Sequence, residues 1–517
     1  MLGGGNLVAM DLDRDGEEPL YRQLYEGFRL MILDGRLPSG SRLPANRVLA
    51  QDLSLSRNTV ANALQQLLAE GYVETRKGDG TYVASALPDA RPNLPERRRS
   101  EHLSTRQAPS DLPGYHPGHH ETPHFTGAPR HYGLSRRGSI LAAISRTPYN
   151  SEQAFAPGPD LKSFPFDIWA RIMTRFWRRP APGLAISRDA GGYPPLKAAI
   201  AAYLGAMRGV RCDPGQIIIV SGAQQGINLA AQVLLDHDDQ ALVEEPGYGG
   251  IRGALTAAGI RTALVPVDEE GMDIAQGESR APLARFACVA PSHQYPLGVV
   301  MSLRRRLALI EWARRRQGWI LEDDYDSEYR YSGRPLAALQ GLDPTGRVIY
   351  VGSFSKVLFP ALRLGYLVVP PDLVDPFIQA RRVLDDHAAM LGQPVLASFI
   401  EDGHFAAHVR RMRRLYAARQ EALLDVAKKE LSGLLDIAAD EAGMHLIALP
   451  GAALGGVMDD NRIVAAAAQS GVTTMALSTA FAGKPARHGL MLGYAAHTEE
   501  AIAAAGRRLG EIISSPL

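Results

Sequence analysis

From about residue 151 to the C-terminus, short β-branched runs alternate with amphipathic helical stretches. The runs include "QIIIV" (216–220), "RTALVPV" (261–267), "RFACVA" (285–290), "GWILEDD" (318–324) and "RVIYVGS" (347–353). Alternation of this kind builds an α/β domain, because parallel strands need helical crossovers that cover both faces of the sheet. A mostly parallel sheet is therefore expected over residues 151–517. It also says where to look for function, since ligands of open α/β sheets collect at the C-terminal ends of the strands.

The chain has 517 residues, too many for one core. Residues 85–150 hold nine prolines, six histidines and the cluster Arg97, Arg98, Arg99. They show almost no sustained periodicity and read as a linker. Residues 17–84 are compact and periodic, so a small first domain is expected there.

The net charge of +1 makes no general case for a polyanionic partner; any such case must be local. Cys212 and Cys288 are the only cysteines, too few for a disulfide framework and in no metal-ligand spacing, which favours a reducing cytoplasm. The N-terminus lacks a basic region followed by a long apolar run, and no eighteen apolar residues run without a charge. Neither a signal peptide nor a membrane span is expected.

In the first domain, Leu20, Leu24, Phe28, Met31 and Ile32 share one helical face, and Gly35 ends that helix. "LPANRVLAQDL" is a second short helix and "SRNTVANALQQLLAEGY" a third, with Ser56 as N-cap. "SLS" makes the turn between them. "YVETRKGDGTYVA" then reads as two strands around a Gly-Asp-Gly turn, a β-hairpin wing.

This order resembles the GntR-type winged helix-turn-helix. The resemblance rests on "G-x-L-x-x-G-x-R-L-P-A-N-R-x-L-A", "S-R-N-T-V" and "E-G-Y-V-x-x-R-x-G-x-G-T-Y-V". It implies that Ser56, Arg57, Asn58 and Thr59 enter the major groove of double-stranded DNA, while Arg47, Lys77 and Gly78 lie along phosphates and minor groove. Residues 17–84 carry eight Lys/Arg and eight Asp/Glu, so binding must come from charge placement and dimerisation rather than net charge.

In the second domain, "GSFSKVLFPALRLGY" (352–366) sets one lysine after two serines and seven residues before an arginine. A lysine amine reacts with an aldehyde cofactor to form a Schiff base. Pyridoxal 5′-phosphate (PLP) asks a protein for such an amine, a phosphate cup, a partner for the pyridine nitrogen and a flat group over the ring. Lys356 supplies the amine. Gly222, Ala223 and Gln224 open a helix whose amides can cup phosphate, aided by the hydroxyls of Ser353 and Ser355 and the charge of Arg363. Asp323 can hold the pyridine nitrogen protonated, Tyr325 can bond the ring hydroxyl, and Tyr248 can stack.

The order of "SGAQQG", "EEPGYGG", "PSHQYPLG", "EDDYD", "SFSK" and "LRLGY" resembles fold-type I aminotransferases from about residue 151 to the C-terminus. Two places depart from that pattern. Aminotransferases commonly carry Asn before the proline of the "NPxG" turn; here the turn is "HQYPLG", and His293 or Gln294 is expected to stand in. They also carry an arginine near the C-terminus that clamps the substrate carboxylate. "GLMLGY" puts Met491 there, with Arg487 four residues upstream.

The two halves together resemble the MocR family of bacterial transcription regulators. The resemblance implies a homodimeric, PLP-dependent regulator that responds to PLP itself or to a small amine or amino acid. A working aminotransferase, or a bifunctional protein, is the alternative. Gly250, two residues past Tyr248, withholds a side chain with which an effector's acid group could pair.

Overall fold

The β-branched runs are strands because each alternates its side chains between two buried layers. In the computed structural model, Ile217 and Ile219 pack on one face of the sheet with Tyr350 and Tyr366. Ile218 and Val220 pack on the other with Ile349, Val351 and Leu367. Burying each such side chain contributes about 1.5–3 kcal/mol, so the register of the strands is firmly set.

The structure describes residues 13, 20–33, 36–53, 55–69, 72–76, 79–84, 133–143, 154–178, 184, 189–331 and 336–515. The chain divides into two compact units, residues 1–143 and 144–517. In the first, α1 (Leu20–Leu33), α2 (Asn46–Asp52) and α3 (Arg57–Ala69) precede the antiparallel strands β1 (Val73–Arg76) and β2 (Gly80–Val83). Leu24, Phe28, Leu49, Val60, Ala63 and Leu67 meet in its core. A helix-turn-helix with a two-stranded wing is thus the observed order.

Within the stretch expected to be linker, residues 136–143 form α4 (Arg136–Ala143). The reason is local: Ser135 accepts a hydrogen bond from the Gly138 amide at 2.9 Å, an N-cap that starts a helix despite the weak periodicity. Residues 85–132 and 144–150 of that stretch lie outside the described residues.

The second unit carries an eight-stranded sheet in the order β3-β10-β9-β8-β7-β4-β5-β6. The strands are β3 (Ile217–Val220), β4 (Gln240–Glu245), β5 (Arg261–Asp268), β6 (Gly271–Met272), β7 (Phe286–Val289), β8 (Trp319–Asp324), β9 (Val348–Ser353) and β10 (Gly365–Val368). Only β10 and β6 run against the rest. The C-terminal ends of β3, β4, β7, β8 and β9 therefore share one edge. A second sheet, antiparallel and ordered β11-β12-β14-β13, is built from β11 (Leu435–Ile437), β12 (His445–Pro450), β13 (Met475–Ala476) and β14 (Leu490–Gly493). No described helix is long and apolar enough to cross a membrane.

Candidate functional site

Four carboxylates crowd the end of β8, and their partners separate them. Successive residues of a strand face opposite sides, so Glu322 and Asp324 point away from Asp323. Glu322 accepts from the Leu339 and Gln340 amides at 2.8 and 2.9 Å. Asp324 pairs with the buried Arg208 at 2.8 Å and accepts from the Tyr350 hydroxyl. Asp326 meets His293 at 2.9 Å. Asp323 is different: its Oδ1 is buried with no hydrogen-bond partner. Burial, then the charges of Asp324 and Asp326, push it up to about 7. A buried, unpaired carboxylate oxygen is costly, and a protonated ring nitrogen is the kind of group that would satisfy it.

Lys356 sits in the turn after β9. Enclosure lowers its amine, an effect partly opposed by the Asp326 charge. Beside it, Ser353 Oγ accepts from the Ser355 amide at 3.2 Å, and Ser355 Oγ is buried without a partner. Gly222 caps the helix Ala223–Leu234 with φ 108° and ψ 167°, backbone that only glycine holds easily. A Cβ there would lie 3.2 Å from Arg363 Nη1. Helix-start amides without intrahelical acceptors and a guanidinium thus flank a space kept open by a missing side chain. Amides and a guanidinium so placed have the donor chemistry that suits a phosphate. Gln224 turns its amide nitrogen to the Gly250 carbonyl at 2.6 Å, which ties the start of this helix to the helix Gly249–Ala257.

Tyr248 ends the loop after β4, and 44% of its surface is exposed. Gly250 is explained by that ring: a Cβ at Gly250 would come within 2.3 Å of Tyr248 Cε1. The missing side chain makes room for Tyr248.

The turn before Pro296 holds both residues expected to stand in for the asparagine. Gln294 donates to the Pro246 and Tyr295 carbonyls at 2.8 and 2.6 Å and accepts from the Leu297 amide. His293 has both ring nitrogens committed. Nδ1 lies 2.9 Å from Asp326 and 3.0 Å from the Tyr325 hydroxyl, and Nε2 lies 3.2 Å from Asp440. Burial opposes a charge on this ring, yet Asp326 and Asp440 together raise it to about 10. His293 is a charged strut behind Tyr325 that reaches the antiparallel-sheet region through Asp440.

The residue immediately before Pro296 is Tyr295. Its ring meets Tyr248 edge-on at 5.8 Å and Tyr325 at 6.2 Å, and its hydroxyl lies 3.8 Å from Met491 Sδ. Sequence reasoning missed it by looking for an amide-like side chain rather than counting back from the proline. Met491 is fully buried on β14. Arg487 is exposed and lines a cleft of about 640 Å³ with Asp268, Lys428 and Asp436, to which Pro296, Asp440 and His445 also contribute. Lys356, Asp323 and Tyr248 do not line that cleft.

In the first unit, Ser56 Oγ accepts from the Thr59 amide at 3.0 Å and bonds its hydroxyl at 2.8 Å, so Ser56 is the N-cap of α3. Arg57 opens α3 and is exposed, as is Arg47 on α2. Asn58 lies in the first turn of α3. Lys77 and Gly78 lie outside the described residues.

Comparison with known proteins fits both units. Residues 165–509 match aminotransferase class I and II, and residues 20–83 match the gntR family of bacterial regulatory proteins. The chain is 42% identical over 486 residues to the probable rhizopine catabolism regulatory protein MocR of Rhizobium meliloti, covering 94% of this chain and 92% of that one. The chain belongs to the MocR family of transcription regulators. It is also 29% identical to the pyridoxine biosynthesis regulator PdxR of Corynebacterium glutamicum, covering 93% of each chain. Among solved structures, the α-aminoadipate aminotransferase LysN of Thermus thermophilus, complexed with N-(5′-phosphopyridoxyl)-L-leucine, is similar with a TM-score of 0.64 and 28% identity. That similarity covers 72% of this chain and 96% of that one.

This MocR-family protein is thus a DNA-binding transcription regulator with a fold-type I aminotransferase-like domain and PLP as its cofactor. The donor set fits the cofactor, because the orphan oxygens among the described residues include a carboxylate, Asp323 Oδ1, able to accept from a cation, and a hydroxyl, Ser355 Oγ, able to donate to an anion.

Proposed function

We propose that this regulator holds PLP at Lys356 and converts the arrival of an amine, or of PLP itself, into a change in how a homodimer grips its DNA operator. When bound, PLP supplies an electrophilic aldehyde able to take a primary amine. The chain's own groups do the rest. Lys356 presents its amine, Asp323 keeps the ring nitrogen protonated, and Tyr325, braced by His293, bonds the ring hydroxyl. Gly222, Ala223, Gln224, Ser353, Ser355 and Arg363 hold the phosphate, and Tyr248 covers the ring. In the winged helix, Ser56, Arg57, Asn58 and Thr59 read base edges, while Arg47, Lys77 and Gly78 hold the backbone.

The observation that carries this reading is the unpartnered Asp323 Oδ1 in a chain that also has a capped recognition helix. A signal passes only as far as the ligand binds one conformation better than the other. The rhizopine catabolism named for the Rhizobium meliloti relative favours a small-molecule effector, and the pyridoxine biosynthesis named for the Corynebacterium glutamicum relative favours PLP as signal. The working-aminotransferase alternative needs a carboxylate clamp, and Met491 stands in its place. Replacing Lys356 with Ala tests the cofactor assignment: the visible band of the loaded protein should vanish. A retained band removes Lys356 from its role. Steady keto-acid production from an amino-acid panel would instead favour the enzyme.

A further inference from the structure

The ring of His293 lies between carboxylates from two parts of the second unit. Nδ1 is 2.9 and 3.2 Å from the two oxygens of Asp326, in the turn after β8. Nε2 is 3.2 Å from Asp440, in the segment before β12. An ionised carboxylate only accepts hydrogen bonds, so each ring nitrogen brings a hydrogen, and a ring with both hydrogens is an imidazolium. Two glycines leave room for this pairing. A Cβ at Gly443 would lie 2.4 Å from His293 Cε1, and one at Gly298 would lie 2.2 Å from Asp440 Oδ2. The other titratable ring against His293 is His445 on β12, with centres 6.2 Å apart. Its Nε2 lies 3.0 Å from the Pro296 carbonyl, and burial, followed by the His293 charge, lowers it. His445 is therefore neutral at neutral pH, and the charge sits on His293.

Tyr325 meets that charged ring, with its hydroxyl 3.0 Å from His293 Nδ1. Because Nδ1 carries a hydrogen, the Tyr325 oxygen is the acceptor of this contact. The hydroxyl's own hydrogen is left without an acceptor among the described residues. Burial, followed by the Asp326 charge, holds the phenol well above its usual range, so that hydrogen stays in place. No second donor comes from the turn before Pro296. The Tyr295 hydroxyl lies 3.8 Å from Met491 Sδ, and Gln294 donates to the Pro246 and Tyr295 carbonyls.

We infer that His293 is a positioning residue: held as a cation between Asp326 and Asp440, it fixes Tyr325 as a one-way hydrogen-bond donor to the ring oxygen of PLP. This rests on the reading of Lys356 as the cofactor lysine. The consequence is a proton balance. The linkage nitrogen at Lys356 and the ring oxygen share one proton between them. A donor on the oxygen, with a positive charge behind it, stabilises the form that has given that proton to water. The His293 cation thus lowers the pH at which the loaded protein loses the proton, and neutralising His293 raises it.

The visible spectrum of the full-length, PLP-loaded protein is titrated from about pH 6 to about pH 10, a range that spans the ordinary histidine value. Wild type, His293→Asn, Tyr325→Phe and the double variant are compared. The protonated linkage absorbs at longer wavelength than the deprotonated one, so the spectrum reads the midpoint directly. Wild type titrates within this range, and His293→Asn raises its midpoint by about one unit or more. In the Tyr325→Phe background the same replacement moves the midpoint less than half as far, because His293 acts through Tyr325. Nitrogen NMR of the cofactor-free wild type, labelled at histidine, gives a reading that needs no variant. One ring keeps both hydrogens at about pH 8, above the usual histidine value of about 6.5.

A midpoint that His293→Asn leaves in place, or moves equally in both backgrounds, overturns the inference. So does a wild-type band that does not titrate in this range, or the absence of any histidine ring still charged at that pH. A wild type with no visible band after loading removes the reading of Lys356 instead, a result distinct from a band whose midpoint stays put.

Discussion

Gly222→Ala is the sharpest single test of the phosphate cradle. The backbone at Gly222, φ 108° and ψ 167°, lies in a region nearly closed to side chains, and holding alanine there costs roughly 1–3 kcal/mol. Unfolding entropy of roughly 2.1 cal/mol/K per residue, over a unit spanning residues 144–517, turns that cost into a fall in Tm of roughly 1–4 °C. The strain acts with or without cofactor.

A second effect acts only on the loaded protein. The new Cβ would sit 3.2 Å from Arg363 Nη1, in the space the phosphate needs, and it pushes the guanidinium aside. A ten-fold loss of affinity at a fixed, saturating cofactor concentration removes about 1.4 kcal/mol of ligand stabilisation, roughly a further 2 °C. Melting curves with and without PLP separate the two effects, and Gly215→Ala, where a Cβ meets nothing within 4 Å, is the control. Equal falls in both states, with an unchanged cofactor Kd, would show that Gly222 bounds no phosphate cradle.

Asp323→Asn should act with opposite signs on the two forms. Above pH 7 the cofactor-free protein melts higher, because a buried carboxylate without a partner is gone, while PLP affinity falls at least ten-fold; thermal melts and a binding titration read both. His293 carries a pH signature. Its folded pKa, about 10, lies above the usual value of about 6.5 for an unfolded histidine. Its stabilisation is therefore full below pH 6.5 and is lost as pH rises towards 10. Melting temperatures across that range should flatten in His293→Asn relative to wild type. In the winged helix, Ser56→Ala removes the cap of α3 and should lower its stability by about 1 kcal/mol. Arg57→Ala, at an exposed site, should leave the melt unchanged and weaken specific DNA binding by about 1–3 kcal/mol.

Much of the fold was legible because its signals are local. The runs around Ile218, Val289 and Val351 carry their own β-branched residues, and Ser56 announces a helix within four residues. The antiparallel sheet was not anticipated. Its strands are short, and their partners are distant: His445 on β12 pairs with Gly493 on β14, a contact no window of sequence contains. "EDDYD" holds one glutamate and three aspartates, and only three-dimensional pairing separates Glu322, Asp324 and Asp326 from Asp323 with its unpartnered Oδ1. Tyr295 went unseen for a different reason. The polar neighbours His293 and Gln294 are the natural hydrogen-bonding candidates near Pro296, yet their capacity is spent elsewhere.

The central claim is that cofactor chemistry at Lys356 governs DNA binding by the winged helix. Its most direct test begins with operator fragments selected by the full-length protein from a random duplex pool. Fluorescence anisotropy at one stated salt concentration then compares their affinity and footprint for cofactor-free protein, PLP-loaded protein and Lys356→Ala. The account predicts sequence-specific binding whose affinity or footprint changes on loading with PLP or with an amine, and a Lys356→Ala protein that no longer shows the change. Identical affinity and footprint in all three states would contradict it.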